Sequence, residues 1–155
     1  IWEYIININL NTPFKMIKEV LPIMRKNKWG RIINISSAHG VVASHFKAAY
    51  VSSKHGLVGL NKVVALETAK ENITCNAIGP GFVDTKLVRK QIKDLAYKKS
   101  ISFKKAKDSL LNKHATNDFV KKKDVSSLVY YLTTDEASQI TGSNLIIDGG
   151  YSINS

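Results

Sequence analysis

The sequence predicts an α/β fold in which a parallel sheet is covered by helices on both faces. Three observations carry this expectation. Long segments with apolar residues at helical spacing alternate with short, continuously apolar runs. Those runs, Arg31–Ser37, Ile73–Ile78 and Asn144–Asp148, lack the in–out alternation of a sheet wetted on one face. Each ends in small residues, Ser36-Ser37, Gly79-Pro80-Gly81 and Gly149-Gly150. In doubly wound sheets ligands sit beyond the carboxyl ends of the strands, so these loops are where chemistry is expected.

From Ile1 to about Asn27, apolar Ile5, Ile8, Phe14, Ile17, Val20, Leu21 and Met24 recur at helical spacing. Pro13 and Pro22 within that segment allow a kink or a break. The first strand follows Gly30, and a loop with Gly40 leads to a second long helix from about Ala48 to Glu71. That helix carries Val51, Leu57, Val58, Leu60, Val64 and Leu66, and its Gly56 and Gly59 would allow close packing against another helix. After the second strand, Thr85 to Phe119 reads as a polar, basic helical region of weak periodicity. Asp124 fits the N-cap of a helix through Val125, Leu128, Val129 and Leu132. No repeat, low-complexity tract or linker interrupts the chain, so residues 1–155 read as one domain. Three strands leave a sheet edge without a partner, where more strands are expected.

At 155 residues and 44% hydrophobic, the chain can bury a core. No stretch reaches the roughly 18 uncharged apolar residues of a membrane span, and no secretory signal is visible. The chain starts at Ile1 inside a helix, which reads as a truncated or processed chain. A single cysteine, Cys75, rules out an internal disulfide and fits a reducing cytosol, so a cytoplasmic location is expected. Its strand context makes it an inert packed thiol. The net charge of +11 is concentrated between Lys86 and Lys123, where 13 of the 23 Lys and Arg residues face only Asp94, Asp108 and Asp118. Nearly all are lysines without aromatic platforms, so the stretch reads first as a solvated face. A field for a small anionic substrate is the second reading and a nucleic-acid surface the last. No nucleic-acid or membrane partner is therefore expected. His45, His55 and His114 lack ligand spacing for a metal.

The chemistry is concentrated around Tyr50-Val-Ser-Ser-Lys54, which places a phenol and an ammonium on one face at the start of a helix. A nearby cation stabilises a phenolate, which makes such a pair useful for proton transfer. Alone, the pair is a weak signal, better described as an exposed lysine beside a half-buried tyrosine. Its surroundings narrow the choice. Ser37 lies 13 residues before Tyr50, Asn9 lies 28 before Ser37, and Asn76-Ala-Ile-Gly-Pro-Gly-Phe-Val-Asp-Thr85 follows the helix and next strand. Gly142 and Asp148-Gly-Gly150 close the pattern.

With these residues the sequence resembles the short-chain dehydrogenase/reductase family over essentially its whole length. The resemblance implies a Rossmann-like doubly wound fold of which this chain is the C-terminal catalytic portion, with the N-terminal cofactor half missing. It implies a catalytic tetrad of Asn9, Ser37, Tyr50 and Lys54. Tyr50 exchanges the proton of a substrate hydroxyl, Lys54 supports Tyr50 and holds the nicotinamide ribose, Ser37 steadies the substrate oxygen, and Asn9 holds a water on a proton path. Asn9 also fits a polar residue satisfying a helix kink near Pro13. Pro80, Gly81, Val83 and Thr85, with Tyr50 and Lys54, match the segment that lies along the nicotinamide end of the cofactor; a tight turn is the alternative there. Homo-dimers or homotetramers through the two long helices are implied as well.

Within the family, Ser37-Ala-His39-Gly40, Phe46-Lys47-Ala-Ala-Tyr50, Lys54-His-Gly-Leu-Val-Gly-Leu60 and Leu87-Val-Arg-Lys-Gln91-Ile92 resemble the D-3-hydroxybutyrate dehydrogenases. That likeness implies that His39, Lys47 and Gln91 bind the carboxylate of a small 3-hydroxy or 3-oxo acid, with Phe82 and Tyr151 packed over it. Surface or loop-packing roles fit the same three polar residues. The expected cofactor is NAD, with NADP not excluded. The Gly-rich phosphate turn and the residue that selects between them are absent from the sequence, so weak or no cofactor binding is expected of this chain alone. The rival readings are a reductase of 3-oxoacyl chains on a carrier protein, and an inactive remnant that serves as an oligomerisation module.

Overall fold

The structure, a computed structural model, describes residues 1–154. The first helical segment is one rod in three parts: α1 (Trp2–Ile6), a widened π turn over Asn7–Asn11, and α2 (Thr12–Asn27). The expected disturbance near Pro13 takes the form of this turn and not of a break. Pro13 has no N–H to offer the Asn9 carbonyl four residues back, so the ladder widens there. The Thr12 hydroxyl donates to the Asn7 carbonyl at 2.9 Å within the same turn.

β1 (Gly30–Ile35), β2 (Ile73–Pro80) and β3 (Asn144–Ile147) form a parallel sheet in the order β1-β2-β3. β1 and β2 pair from Gly30↔Ile73 to Ile35↔Ile78, and β2 and β3 from Ala77↔Asn144 to Pro80↔Ile147. β2 is buried along its whole length, as a run without alternation requires. On one face Ile32, Ile73 and Cys75 pack with Ile17 and Leu21 of α2 and with Val64 and Ala65 of α3 (Ala48–Thr68). On the other, Ile78 meets Leu132 of α6 (Lys122–Thr133) and Ala137. Helices therefore cover both faces, as expected.

The basic region 85–119 is two helices, α4 (Lys86–Lys99) and α5 (Phe103–Leu111), followed by an irregular loop to Phe119. Its weak periodicity has a plain cause. Ser100 turns left-handed at φ 51°, and Ser102 caps α5 by accepting from the Lys105 N–H at 3.2 Å, so the two short helices differ in phase. Their apolar faces close on one another through Val88, Ile92, Ala106 and Leu110. Asp124 is not an N-cap: the helix starts two residues earlier, and its carboxylate accepts the Lys121 N–H at 3.1 Å from inside the first turn. Gly56 meets the expectation of close packing, since a Cβ there would lie 2.9 Å from Leu10 Cδ2. Gly59 does not; open space surrounds it. Among the described residues no helix is long and apolar enough to cross a membrane.

Leu132 is fully buried against the underside of β2, the strand that ends at Pro80. Leu132→Ala should therefore cost about 2–5 kcal/mol, read as a lower urea midpoint with an unchanged slope. A loss under about 1 kcal/mol would place α6 outside the cooperative core.

Candidate functional site

Parallel pairing brings the carboxyl ends of all three strands to one edge of the sheet, and a cavity of about 310 Å³ opens there. Ser37 and His39 enter it from the turn after β1, Lys47 and Tyr50 from the start of α3, and Gln91 from α4. Pro80, Gly81 and Phe82 border it after β2, and Tyr151 after β3. Ser37, Tyr50, His39, Lys47 and Gln91, inferred from scattered positions in the sequence, thus face one shared space. Val88 is a further apolar liner.

The Ser37 hydroxyl caps the short turn Ala38–Gly40 by accepting the His39 N–H at 3.1 Å. That contact uses an oxygen lone pair and leaves the O–H able to donate. His39 is buried, with Nδ1 3.4 Å from Ser37 Oγ and Nε2 3.4 Å from the Tyr151 hydroxyl. Its ring stands edge-on to Tyr50, with centroids 5.8 Å apart. One helical turn beyond Tyr50, Lys54 is buried and places its ammonium 5.7 Å from the Tyr50 ring centroid. The ammonium donates to the Ile35 carbonyl at the end of β1, at 2.9 Å. Asn9 lies off the cavity. Its amide donates to Ser53 Oγ at 3.1 Å, and the Ser53 hydroxyl donates to the Tyr50 carbonyl at 2.7 Å. The π turn thereby connects to the turn of α3 that carries the phenol.

Lys47 makes the cavity cationic, and among the described residues no acid lines it. Burial, then the charges of Lys47, Lys113 and His55, hold the His39 imidazole down to about 4, so it is neutral at physiological pH. Burial and Lys113 lower Lys47, and burial alone lowers Lys54. Burial and the Asp148 charge raise the Tyr151 phenol. Taking an ammonium out of water is costly unless something compensates it, and an anion entering this space would do so.

Pro80 and Gly81 border the cavity, whereas Val83 and Thr85 lie farther along the same segment, outside its lining. Val83 forms a parallel bridge with Val120, held by Val120 N–H to Phe82 O and Asp84 N–H to Val120 O, both at 3.0 Å. Such a bridge turns the N–H and C=O of Val83 itself to the opposite side. Thr85 caps α4 by accepting the Val88 N–H at 3.3 Å, which leaves its O–H free. Lys54 spends one of its three ammonium hydrogens on Ile35. These unspent donors and acceptors fit the polar end of a nicotinamide nucleoside, so the segment is compatible with that group.

Three contributors were given no role at the site by the sequence reading. Lys113 acts electrostatically on both His39 and Lys47. Asp148 accepts the Gly150 and Ser152 N–H groups at 2.9 and 2.8 Å and so sets the turn that carries Tyr151. His114 is 1% exposed, and its imidazole accepts the Phe82 N–H. Only a motif joining distant loops could have signalled them. Cys75 is buried, its thiol pushed up to about 12 by burial and donating to Asn61 Oδ1, which makes it the inert thiol expected. Among the described residues no His, Cys, Asp and Glu cluster could hold a metal.

Comparison with known proteins finds relatives over nearly the whole chain. A family model described as enoyl-(acyl carrier protein) reductase matches residues 1–152. D-beta-hydroxybutyrate dehydrogenase of Rhizobium meliloti is 48% identical over 97% of this chain, and its Cupriavidus necator counterpart is 45% identical over the same share. The chain spans 58% of the length of each. An actinorhodin polyketide ketoreductase with NADPH superposes with a TM-score of 0.88 at 32% identity, over 94% of this chain and 56% of that one. A 4-hydroxyisoleucine dehydrogenase complexed with NADH gives 0.80 at 34% identity, over 99% and 60%.

The His39 ring should titrate near 4 by NMR. Lys47→Ala should raise that midpoint while leaving it below 6.5, because burial is the larger cause. An unfolded chain takes up this proton near 6.5 and the folded one only near 4, so stability should fall as pH drops across that window and change little above it. A parent midpoint at 6.5 would contradict the dry, cationic site.

Proposed function

The chain belongs to the short-chain dehydrogenase/reductase family of oxidoreductases, and we propose that the complete protein interconverts (R)-3-hydroxybutyrate and acetoacetate with NAD, NADP being the alternative carrier. One observation carries the reading: Ser37 and Tyr50 share a single cavity with His39, Lys47 and Gln91. A proton-transfer pair and a carboxylate-recognition trio are within reach of one small hydroxy acid.

Oxidation removes a hydride from C3 of the acid and a proton from its hydroxyl, and the nicotinamide, when bound, supplies the ring that accepts the hydride. Tyr50, as phenolate, takes the hydroxyl proton and becomes the neutral phenol; in the reductive direction the phenol gives that proton to the carbonyl oxygen. The Lys54 ammonium opposes the negative charge that the phenolic oxygen carries before it takes the proton and regains on returning it. The free O–H of Ser37 donates to the substrate oxygen, whose charge also changes along the reaction. Lys47 provides the charge-assisted contact to the carboxylate, and neutral His39 and the Gln91 amide add neutral donors. Asn9, tied through Ser53 to the Tyr50 carbonyl, is assigned to a water path toward Lys54. Tyr50, Lys54, Pro80, Gly81, Val83 and Thr85 would hold the nicotinamide end. The remainder of the reading is a cytoplasmic homodimer or homotetramer built on α2 and α3, whose surfaces expose Phe14, Met16, Val63 and Leu66.

The description of the matching family model favours a second reading, reduction of an acyl chain on an acidic carrier protein, which the Lys-rich α4 and α5 would suit. Lys47→Ala separates the two. Losing a charge-assisted hydrogen bond worth about 1.5–3 kcal/mol should raise KM for 3-hydroxybutyrate roughly 10- to 100-fold. An unchanged KM rejects carboxylate recognition. Tyr50→Phe should lower kcat by about 10²–10⁴-fold with the fold intact by circular dichroism; retained turnover rejects the phenol as proton carrier.

A further inference from the structure

We propose that His114 is a positioning residue that sets chain-length selectivity by fixing the aromatic wall of the hydroxy-acid cavity. The inference rests on the reading above, since it concerns how that site measures its substrate. The wall consists of Phe82 and Tyr151, both lining the cavity and packed edge to face with centroids 5.7 Å apart. It borders the same cavity as His39, Lys47 and Gln91 and supplies aromatic surface there, against which the alkyl end of a bound acid would lie. Neither aromatic ring is placed by its own element alone. Phe82 follows the end of β2, and Tyr151 stands on the turn after β3.

His114 joins them from a third segment, the loop after α5. Its Nε2 accepts the Phe82 N–H at 3.0 Å, and its Nδ1–H donates to the Asp118 carbonyl at 2.6 Å. This pair of bonds fixes one tautomer and one ring plane. The ring then stacks on Phe82 at 23° and meets Tyr151 edge-on, with centroids 5.7 and 6.0 Å away. There is no slack beneath it. A Cβ on Gly81 would lie 2.8 Å from Nε2 and 3.0 Å from the Asp148 backbone, so the β2 and β3 loops close directly around the imidazole. An aliphatic side chain could fill the same volume, but only a directional acceptor also anchors the Phe82 main chain. The hydrogen bonds of His114 go to Phe82 and Asp118, away from Ser37, Tyr50 and Lys54, so it acts on the shape of the cavity and not on the proton transfer.

The test compares (R)-3-hydroxybutyrate with (R)-3-hydroxyvalerate, one methylene longer, in steady-state assays of the complete protein. For His114→Ala we expect KM for the four-carbon acid to rise about tenfold with kcat within about threefold, and the preference for it over the five-carbon acid to fall at least about fivefold. His114→Gln offers an amide oxygen to the Phe82 N–H and an amide hydrogen to Asp118. It should keep KM within about threefold while losing part of the preference with the stacked ring, about threefold. If His114→Ala does not fold, His114→Gln decides alone, and an unchanged preference overturns the proposal. An active parent whose alanine variant keeps both KM and preference, or loses only kcat, removes the inference while leaving the proposed function in place. A parent that turns over neither acid removes both.

Discussion

Everything at the site depends on the parallel pairing of β2 with both of its neighbours. Parallel strands deliver their carboxyl ends to the same edge, so the segments after Ile35, Pro80 and Ile147 emerge side by side. A serine, an aromatic wall and the turn that carries Tyr151 come together because of that geometry, although more than a hundred residues separate the first from the last. α3 then crosses back over the sheet, and its first two turns bring Tyr50 and Lys54 to the edge where β1 leaves Ser37. The burial of β2 on both faces fixes this arrangement, since a slip of register would drive its side chains into the wrong helical layer.

The electrostatics follow from the same convergence. Closing three loops over a small space removes water from His39, Lys47 and Lys54, and burial is the leading influence on each. Among the described residues, no carboxylate lines the cavity to offset these groups. Such a space holds its imidazole neutral and leaves its ammonium underpaired, the arrangement suited to a ligand that brings a negative charge of its own.

What could be read from the sequence was whatever is local or set by fixed spacing. Tyr50 and Lys54 are one turn apart on a single helix, and Ser37 closes an apolar strand, so their elements were legible, whereas the meeting of Ser37 with Tyr50 was implied by the family resemblance. The three strands announced themselves as unbroken apolar runs, and the helices on both faces followed from that. The division of 85–119 into two helices was not legible, because the phase break depends on a left-handed serine in a stretch already poor in apolar residues. The π turn at Asn7–Asn11 was legible only as a disturbance near Pro13. The roles of His114, Lys113 and Asp148 at the site were not legible, although Asp148 belonged to the pattern that closes the chain. Each acts through a contact or a field between loops remote in sequence, and histidine, lysine and aspartate in loops carry no local pattern that marks them.

The Lys54 anchor is a main-chain carbonyl, that of Ile35, and not a side chain. Any residue at position 35 presents the same oxygen, so substitution there can alter packing while leaving the lysine tethered. Evolution is thus free to vary the side chain closest to the tether, and the ammonium is exposed to loss only through events that displace the strand itself.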